Sequence, residues 1–164
     1  MERNDEFYMK EAIKEAKKAY LIDEVPVGAI IVKDNIIISR AHNLRQTKKN
    51  VLLHAEINAI NKAVKKVGTK FLDGSVMYCT LEPCLMCAGA IQSSRISRLV
   101  YSSKEPKFGV IESTGRVYDI FKGNHQVEIS SGILEEITSK LMKDFFKTIR
   151  EKKLWYYLAI YAYL

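Results

Sequence analysis

Apolar and polar positions alternate along this chain in two different periods. From Asp5 to Tyr20, the residues Met9, Ala12, Ile13, Ala16, Ala19 and Tyr20 recur at helical spacing, while Lys10, Lys14, Lys17 and Lys18 fall mostly elsewhere. This predicts an amphipathic helix with its lysines on a solvated face. Val25 to Val32 and Ile36 to Arg40 are apolar, β-branched runs separated by Lys33-Asp34-Asn35, the pattern of a hairpin with a tight turn. Gly28 interrupts the first run, which leaves two readings: close approach of a substrate base, or a bulge or tight packing against a helix. His54 to Val67 repeats Ile57, Ile60, Val64 and Val67 in helical phase and stops at Gly68. Ser75 to Leu81 is rich in strand formers, and Pro83 suits the first position of a following helix, where a missing N–H costs nothing. Arg98 to Tyr101 predicts another strand, with Ser102 to Ser113 as its outgoing loop. A short segment at Val117 to Phe121 has no decided type, and Gln126 to Ile129 predicts a last strand. Ile133 to Arg150 sets Leu134, Ile137, Leu141, Phe145 and Ile149 in phase as a last helix.

Helices therefore alternate with strands, without internal repeats or long linkers, and one mixed sheet between helix layers follows. At 164 residues the chain is expected to form one domain with a sizeable core. Leu154 to Leu164 carries no charged side chain. That run is well short of the ~20 residues a spanning helix needs, so no membrane is expected. The expected division is a domain over residues 1–153 and an apolar, aromatic tail over 154–164 of unknown role, packed or buried in an interface.

Composition, at 48% hydrophobic and 27% charged residues, is that of an ordinary globular protein. The net charge of +7 leaves two readings of equal weight: an anionic partner, because cationic side chains that neutralise phosphates release counterions, or a merely basic protein. Three cysteines make no disulfide framework, and the chain opens on Met1-Glu2-Arg3-Asn4-Asp5 rather than a signal segment, so a reducing, cytoplasmic location is expected. Cys79, mid-strand, reads as a small buried hydrophobe.

Cys84 and Cys87 stand three residues apart on one face of a helix start, where unpaired N–H groups and the positive dipole end favour thiolates. Alone, such a pair is open to redox, structural-zinc and bland readings. His54, at another helix start 30 residues earlier, supplies a third ligand, and no further Cys or His pair closes the set. Three protein ligands leave zinc's fourth position open, the mark of a catalytic site. Glu56 is too near His54 in sequence to complete the set, but it can shuttle protons to and from a zinc-activated water.

His54-Ala55-Glu56 with Pro83-Cys84-Leu85-Met86-Cys87 resembles the zinc nucleobase deaminases. Glu24-Val25-Pro26-Val27-Gly28-Ala29, His42-Asn43, Thr80-Leu81-Glu82, Ala88-Gly89-Ala90, Ser94-Arg95-Ile96 and Phe145-Phe146 follow in order, and together these resemble the bacterial tRNA-specific adenosine deaminases of the TadA type, over roughly residues 5–153. The resemblance implies a three-layer α/β/α cytidine deaminase-like fold with a central mixed five-stranded sheet, one Zn2+ per subunit, and a homodimer whose subunits together shape an RNA site. It implies hydrolytic conversion of the wobble adenosine of an arginine tRNA anticodon loop to inosine. Asn43 corresponds to an asparagine that hydrogen-bonds the target purine, and Val27, Ala55 and Leu81 would line the base pocket or else be plain core. Glu82 reads as a turn or capping group, His42 as structural, and His125 as structural or an RNA-side contact. Phe145 and Phe146 are adjacent on the last helix, so one packs while the other can meet an unstacked base. Lys143, Lys147, Arg150, Lys152 and Lys153 around them, with Lys107 in the loop, form the expected phosphate-contacting surface. Val51-Leu52-Leu53 and Phe108 to Glu112 depart from the family pattern.

Two further readings compete. A deaminase of a free base or small metabolite, guanine or cytosine, would share the zinc chemistry; the basic last helix and the Val-Pro-Val-Gly-Ala and His-Asn context argue against it. A non-catalytic, zinc-stabilised RNA-binding subunit is opposed by the intact Glu56.

Overall fold

The computed structural model describes residues 4–162, and side chains as far as residue 154. Five strands form one sheet in the order β2-β1-β3-β4-β5. β1 (Gly28–Lys33) pairs antiparallel with β2 (Ile36–His42) and with β3 (Val76–Leu81), whereas β4 (Arg98–Ser103) and β5 (Glu128–Ser131) continue parallel to β3. The Asp34-Asn35 turn of the β1–β2 hairpin has both residues at positive φ, 50° and 59°, the mirror-image turn whose twist matches that of the strands.

Strand residues alternate between two cores, as a period of two requires. Ala29, Ile31, Met77, Cys79, Leu99 and Tyr101 pack with Ala55, Ala59, Ala63, Ala88 and Ile91 of α2 (Ala55–Val67) and α3 (Leu85–Ser93). Ile30, Val32, Tyr78 and Val100 pack on the other face with Tyr8, Met9, Ala12 and Ile13 of α1 (Asp5–Leu21). α4 is a single turn (Val117–Ile120), and α5 (Glu135–Ala162) meets α1 through Phe145 against Tyr20 and a Thr148–Tyr20 hydroxyl pair at 3.2 Å. The expected three-layer, mixed five-stranded arrangement is the one observed.

Gly28 is explained by α1. A Cβ there would collide with the Ala12 carbonyl and the Ala16 amide, so the helix-packing reading holds and α1 lies flush on β1.

β2 and β4 run two residues past their expected ends and β5 starts two residues late, at Glu128; three further boundaries differ for a local reason. Val25-Pro26-Val27 lies outside the ladder, because Pro26 has no N–H to give it. α3 begins at Leu85 with Cys84 as its extended N-cap (ψ 172°), so Pro83 precedes the cap instead of opening the helix. The last helix starts at Glu135, because Leu134 sits at φ 59°; Ile133 and Leu134 pack against the α1 core instead. Its backbone runs on to Ala162, so the 154–164 segment begins inside it; the expected packing of the tail side chains lies outside the described residues. No helix among the described residues is long and apolar enough to cross a membrane.

Sheet topology brings the functional loops to one edge. Gly28 pairs with His42, Ala29 with Cys79, and Leu81 with Ser103. The entry to β1 and the exits of β2, β3 and β4 therefore share one end of the sheet, with the starts of α2 and α3 above it.

Candidate active site

His54 is the N-cap of α2 and Cys84 the N-cap of α3, and neither side chain caps its own helix. Both turn toward one another: Cys84 Sγ lies 3.7 Å from His54 Nδ1. Cys87, one helical turn on, completes a group whose ligand atoms all lie within 4.8 Å of one another, and no fourth His, Cys, Asp or Glu among the described residues joins it. Tetrahedral zinc with bonds of roughly 2.0–2.3 Å needs ligand atoms roughly 3.3–3.8 Å apart, which the imidazole–thiolate spacing already meets. Hydrogen bonding from Cys87, with His54 beside it, holds the Cys84 thiol far below its ordinary value, to about 4. The same pairing, with burial, pushes Cys87 up, and the bond to Cys84 raises His54. A cation bound there would displace the protons these groups carry, because zinc takes thiolates and a neutral imidazole.

Glu56 stands on the first turn of α2, 4% exposed. Its Oε2 is buried without a hydrogen-bond partner, and burial pushes its carboxyl above the usual range. A buried carboxylate oxygen left unpartnered is costly unless a ligand or a proton satisfies it. The donor set and the orphaned oxygen together fit zinc with a protonatable group beside it. Cys79, buried in the core with its thiol raised by burial, stays out of the site as expected.

His54, Cys84 and Glu56 line a cleft of about 440 Å³, and Cys87 is buried behind them. Val25, Val27 and Leu81 give it an apolar wall; Asn43 and Arg45 line it from the segment after β2, and Glu82, Glu105 and Phe108 from the β3 exit and the loop after β4. Met142 and Phe146 close the remaining side from α5. Val27, Leu81 and Asn43 thus line the cleft. Asn43 is also structural: its Oδ1 accepts from the Ala55 N–H at 2.9 Å, capping the helix whose own N-cap points at the cysteines, and its Nδ2 donates to the Val25 carbonyl at 3.1 Å. Ala55 is fully buried and its side chain does not line the cleft, so its place is in the core under the helix start.

Of the adjacent phenylalanines, Phe145 is 4% exposed against Tyr20 and presents no face to an RNA, whereas Phe146 is 44% exposed in the cleft wall. Lys147 and Arg150 are exposed on α5 outside the cleft; Lys107 is exposed with its Nζ 5.3 Å from the Phe108 ring centroid. His42 pairs with buried Glu15 at 3.0 Å and His125 Nε2 lies 2.7 Å from the Ile96 carbonyl, so both are structural. Val51 and Leu52 are exposed and outside the cleft.

Sequence reasoning missed Arg45, Val25 and Met142. Met142 had a signal, being one turn before Phe146 on the same helix face; Arg45 had none. Glu82 is more than a turn residue: 2% exposed, it accepts from the backbone N–H groups of Glu105, Glu112 and Ser113 at 3.0, 2.8 and 2.9 Å and from the Ser113 hydroxyl.

A family model described as MafB19-like deaminase matches residues 3–150. The chain is 47% identical over 149 residues to the tRNA-specific adenosine deaminase of Bacillus subtilis (strain 168), covering 91% of this chain and 92% of that protein. It is 46% identical over 145 residues to the tRNA-specific adenosine deaminase of Rickettsia bellii (strain RML369-C), covering 87% and 100%. A solved structure from studies of A-to-I editing by tRNA:A34 deaminases at the wobble position of transfer RNA matches with a TM-score of 0.79 at 39% identity, over 82% of this chain and 97% of that one. With its ligand triad, buried acid and cleft, the chain belongs to the deaminase family, and within it to the tRNA-specific adenosine deaminases.

Proposed function

We propose that this protein deaminates an adenosine in a tRNA anticodon loop, the wobble adenosine of an arginine tRNA, to inosine, with release of ammonia. The observation that carries the reading is the buried, unpartnered Oε2 of Glu56 beside the His54, Cys84 and Cys87 cluster. Zinc held by those three residues supplies, when bound, a water acidic enough to attack as hydroxide near neutral pH. Glu56 would take a proton from the attacking water and pass it to the purine ring, then take the proton of the new C6 hydroxyl and pass it to the departing 6-amino group, so that adenosine and water leave as inosine and ammonia. A raised carboxyl suits this work, because the group must both take and give protons.

Val25, Val27 and Leu81 offer an apolar slot for a flipped purine, and one N–H of the Asn43 amide remains to meet its edge. Target selection in a loop keeps the unstacking cost low. The exposed Lys147, Arg150 and Lys107 support phosphate contacts, and Phe146 supports stacking. Exposed Val51, Leu52 and Leu85, on the segments that carry the ligands, support a homodimer, and a tRNA substrate supports a cytoplasmic location.

The test is a pair of variants assayed on an anticodon stem-loop. Glu56→Ala should keep one zinc per chain and lose inosine formation by a factor on the order of 10² or more; Cys84→Ser should lose the zinc itself. Undiminished turnover in Glu56→Ala ends the proposal, and xanthine from guanine or uracil from cytosine would redirect it to a small-metabolite enzyme.

A further inference from the structure

We infer that Glu82 is a positioning residue: its buried carboxylate clamps the loop after β4 to the turn that carries Cys84, and so sets where Glu105 and Phe108 stand at the cleft. This rests on the reading above for the identity of the substrate, an RNA loop, but not for the clamp itself.

The carboxylate is fully used by one loop. Oε1 accepts from the N–H groups of Glu112 and Ser113 at 2.8 and 2.9 Å; Oε2 accepts from the Glu105 N–H at 3.0 Å and from the Ser113 hydroxyl. An ionised carboxylate has about four lone-pair sites, and here both ends of a single loop occupy them. The loop closes further on the same point: Val110 N–H donates to the Pro83 carbonyl at 3.1 Å, and Gly109 lies so near that a Cβ on it would be 2.5 Å from Glu82 Cδ. The same Cβ would lie 2.6 Å from the Glu105 carbonyl, so the acid at 82 and the loop's own backbone together demand glycine at 109.

What the clamp holds faces substrate. Glu105 and Phe108, between the clamped amides, line the cleft, and Phe108 does so while 62% exposed. Ile111 anchors the far part of the loop in the core, whereas residues 106–108 are exposed, so the Glu105 N–H bond to Glu82 is what fixes the near part that carries Glu105 and Phe108. The residue two positions before a metal ligand thereby ties the metal turn to the rim that an RNA must cross.

Glu82→Gln tests this, because it keeps the shape and removes the pattern. In either orientation the amide nitrogen faces at least one backbone N–H, Glu112 and Ser113 on one side or Glu105 on the other, and a donor cannot satisfy a donor. Hydrogen exchange on the substrate-free, zinc-loaded protein should show the amides of 105, 112 and 113 exchanging at least tenfold faster than in the wild type, with zinc content still one per chain. On an anticodon stem-loop KM should rise about tenfold or more with kcat changed much less, and Phe108→Ala, which raises KM alone, should add little in the Glu82→Gln background. Glu82→Asp, which keeps the charge but shortens the reach to the three amides, should reproduce the exchange pattern if Glu82→Gln folds poorly. Unchanged exchange at the three amides, or a loss confined to kcat and zinc, overturns the clamp. If wild-type protein forms no inosine, the functional reading fails while the exchange result still judges the clamp.

Discussion

Cys84 Sγ and His54 Nδ1 lie 3.7 Å apart although 30 positions separate them in the chain. Each is an N-cap, so a shared ion would staple the starts of α2 and α3 to one another. The ligand atoms are already gathered, and the ion has its full coordination only in the folded protein. Zinc binding must then appear as folding stability. The chelated protein is expected to melt lower than the zinc-loaded one, by an amount that grows with free zinc and reaches about 4 kcal/mol at a thousandfold excess over Kd. Differential scanning calorimetry across a zinc-buffer series checks this. A melting temperature indifferent to zinc would mean that the three side chains do not share an ion.

Phe145 and Phe146 separate stability from recognition within two adjacent positions. Phe145 is 4% exposed and stacks edge-on to Tyr20 with centroids 5.6 Å apart, so Phe145→Ala should cost about 3–5 kcal/mol in urea unfolding. Phe146, in the cleft wall, should leave stability within about 1 kcal/mol when cut to alanine while weakening stem-loop binding roughly 5- to 100-fold, the worth of one base–aromatic stack. Equal effects in both assays would remove the distinction.

Asp5 ties the start of α1 to β4. Arg98 grips it through both guanidinium nitrogens at 3.0 and 2.7 Å, and the Tyr78 hydroxyl donates at 2.8 Å. The Arg98 hydrogen bond holds the Asp5 carboxyl below its ordinary range. A carboxyl depressed in the folded state releases its proton more readily there than in the unfolded chain, whose value is about 3.9. Its contribution to stability is therefore complete above about pH 5 and disappears as pH falls through the folded value. Asp5→Asn should lower stability by a constant amount at neutral pH, and the gap to wild type should close on acidification. Urea midpoints measured across that range decide the matter, and a gap that widens in acid contradicts it.

How much of this was legible in the chain follows from how local each determinant is. The helical phase of His54 to Val67 and the β-branched runs around Lys33-Asp34-Asn35 announced their elements because each carries its own periodicity. The His54, Cys84 and Cys87 cluster was legible because residue type and spacing are chemical. What escaped was set by partners distant in sequence. Glu82 reads as a turn residue until the amides of Glu105, Glu112 and Ser113, 23 to 31 positions away, are seen to converge on it. Asn43 caps a helix that begins 12 positions later only because His54, at the cap itself, faces the cysteines. Leu134 at φ 59° breaks a helix its periodicity would have continued, since it and Ile133 gain more by packing against α1.

Gly28 offers the sharpest separation between the two roles its sequence context allowed. A methyl group there would meet backbone, the Ala12 carbonyl and the Ala16 amide, and backbone in a packed helix cannot swing aside as a side chain would. The strand cannot retreat either, because the Gly28 N–H donates to Thr80 Oγ1 at 3.0 Å and its Cα pairs with His42. Gly28→Ala should therefore push α1 off the sheet and cost about 3 kcal/mol, the upper end of overpacking penalties. Ala12→Gly should not rescue it, because the obstructing atom belongs to the main chain. Had the glycine been there for a substrate base, the same variant would raise KM and leave the unfolding midpoint alone. The expected result is the reverse: a lower urea midpoint, with KM for the folded fraction close to that of the wild type.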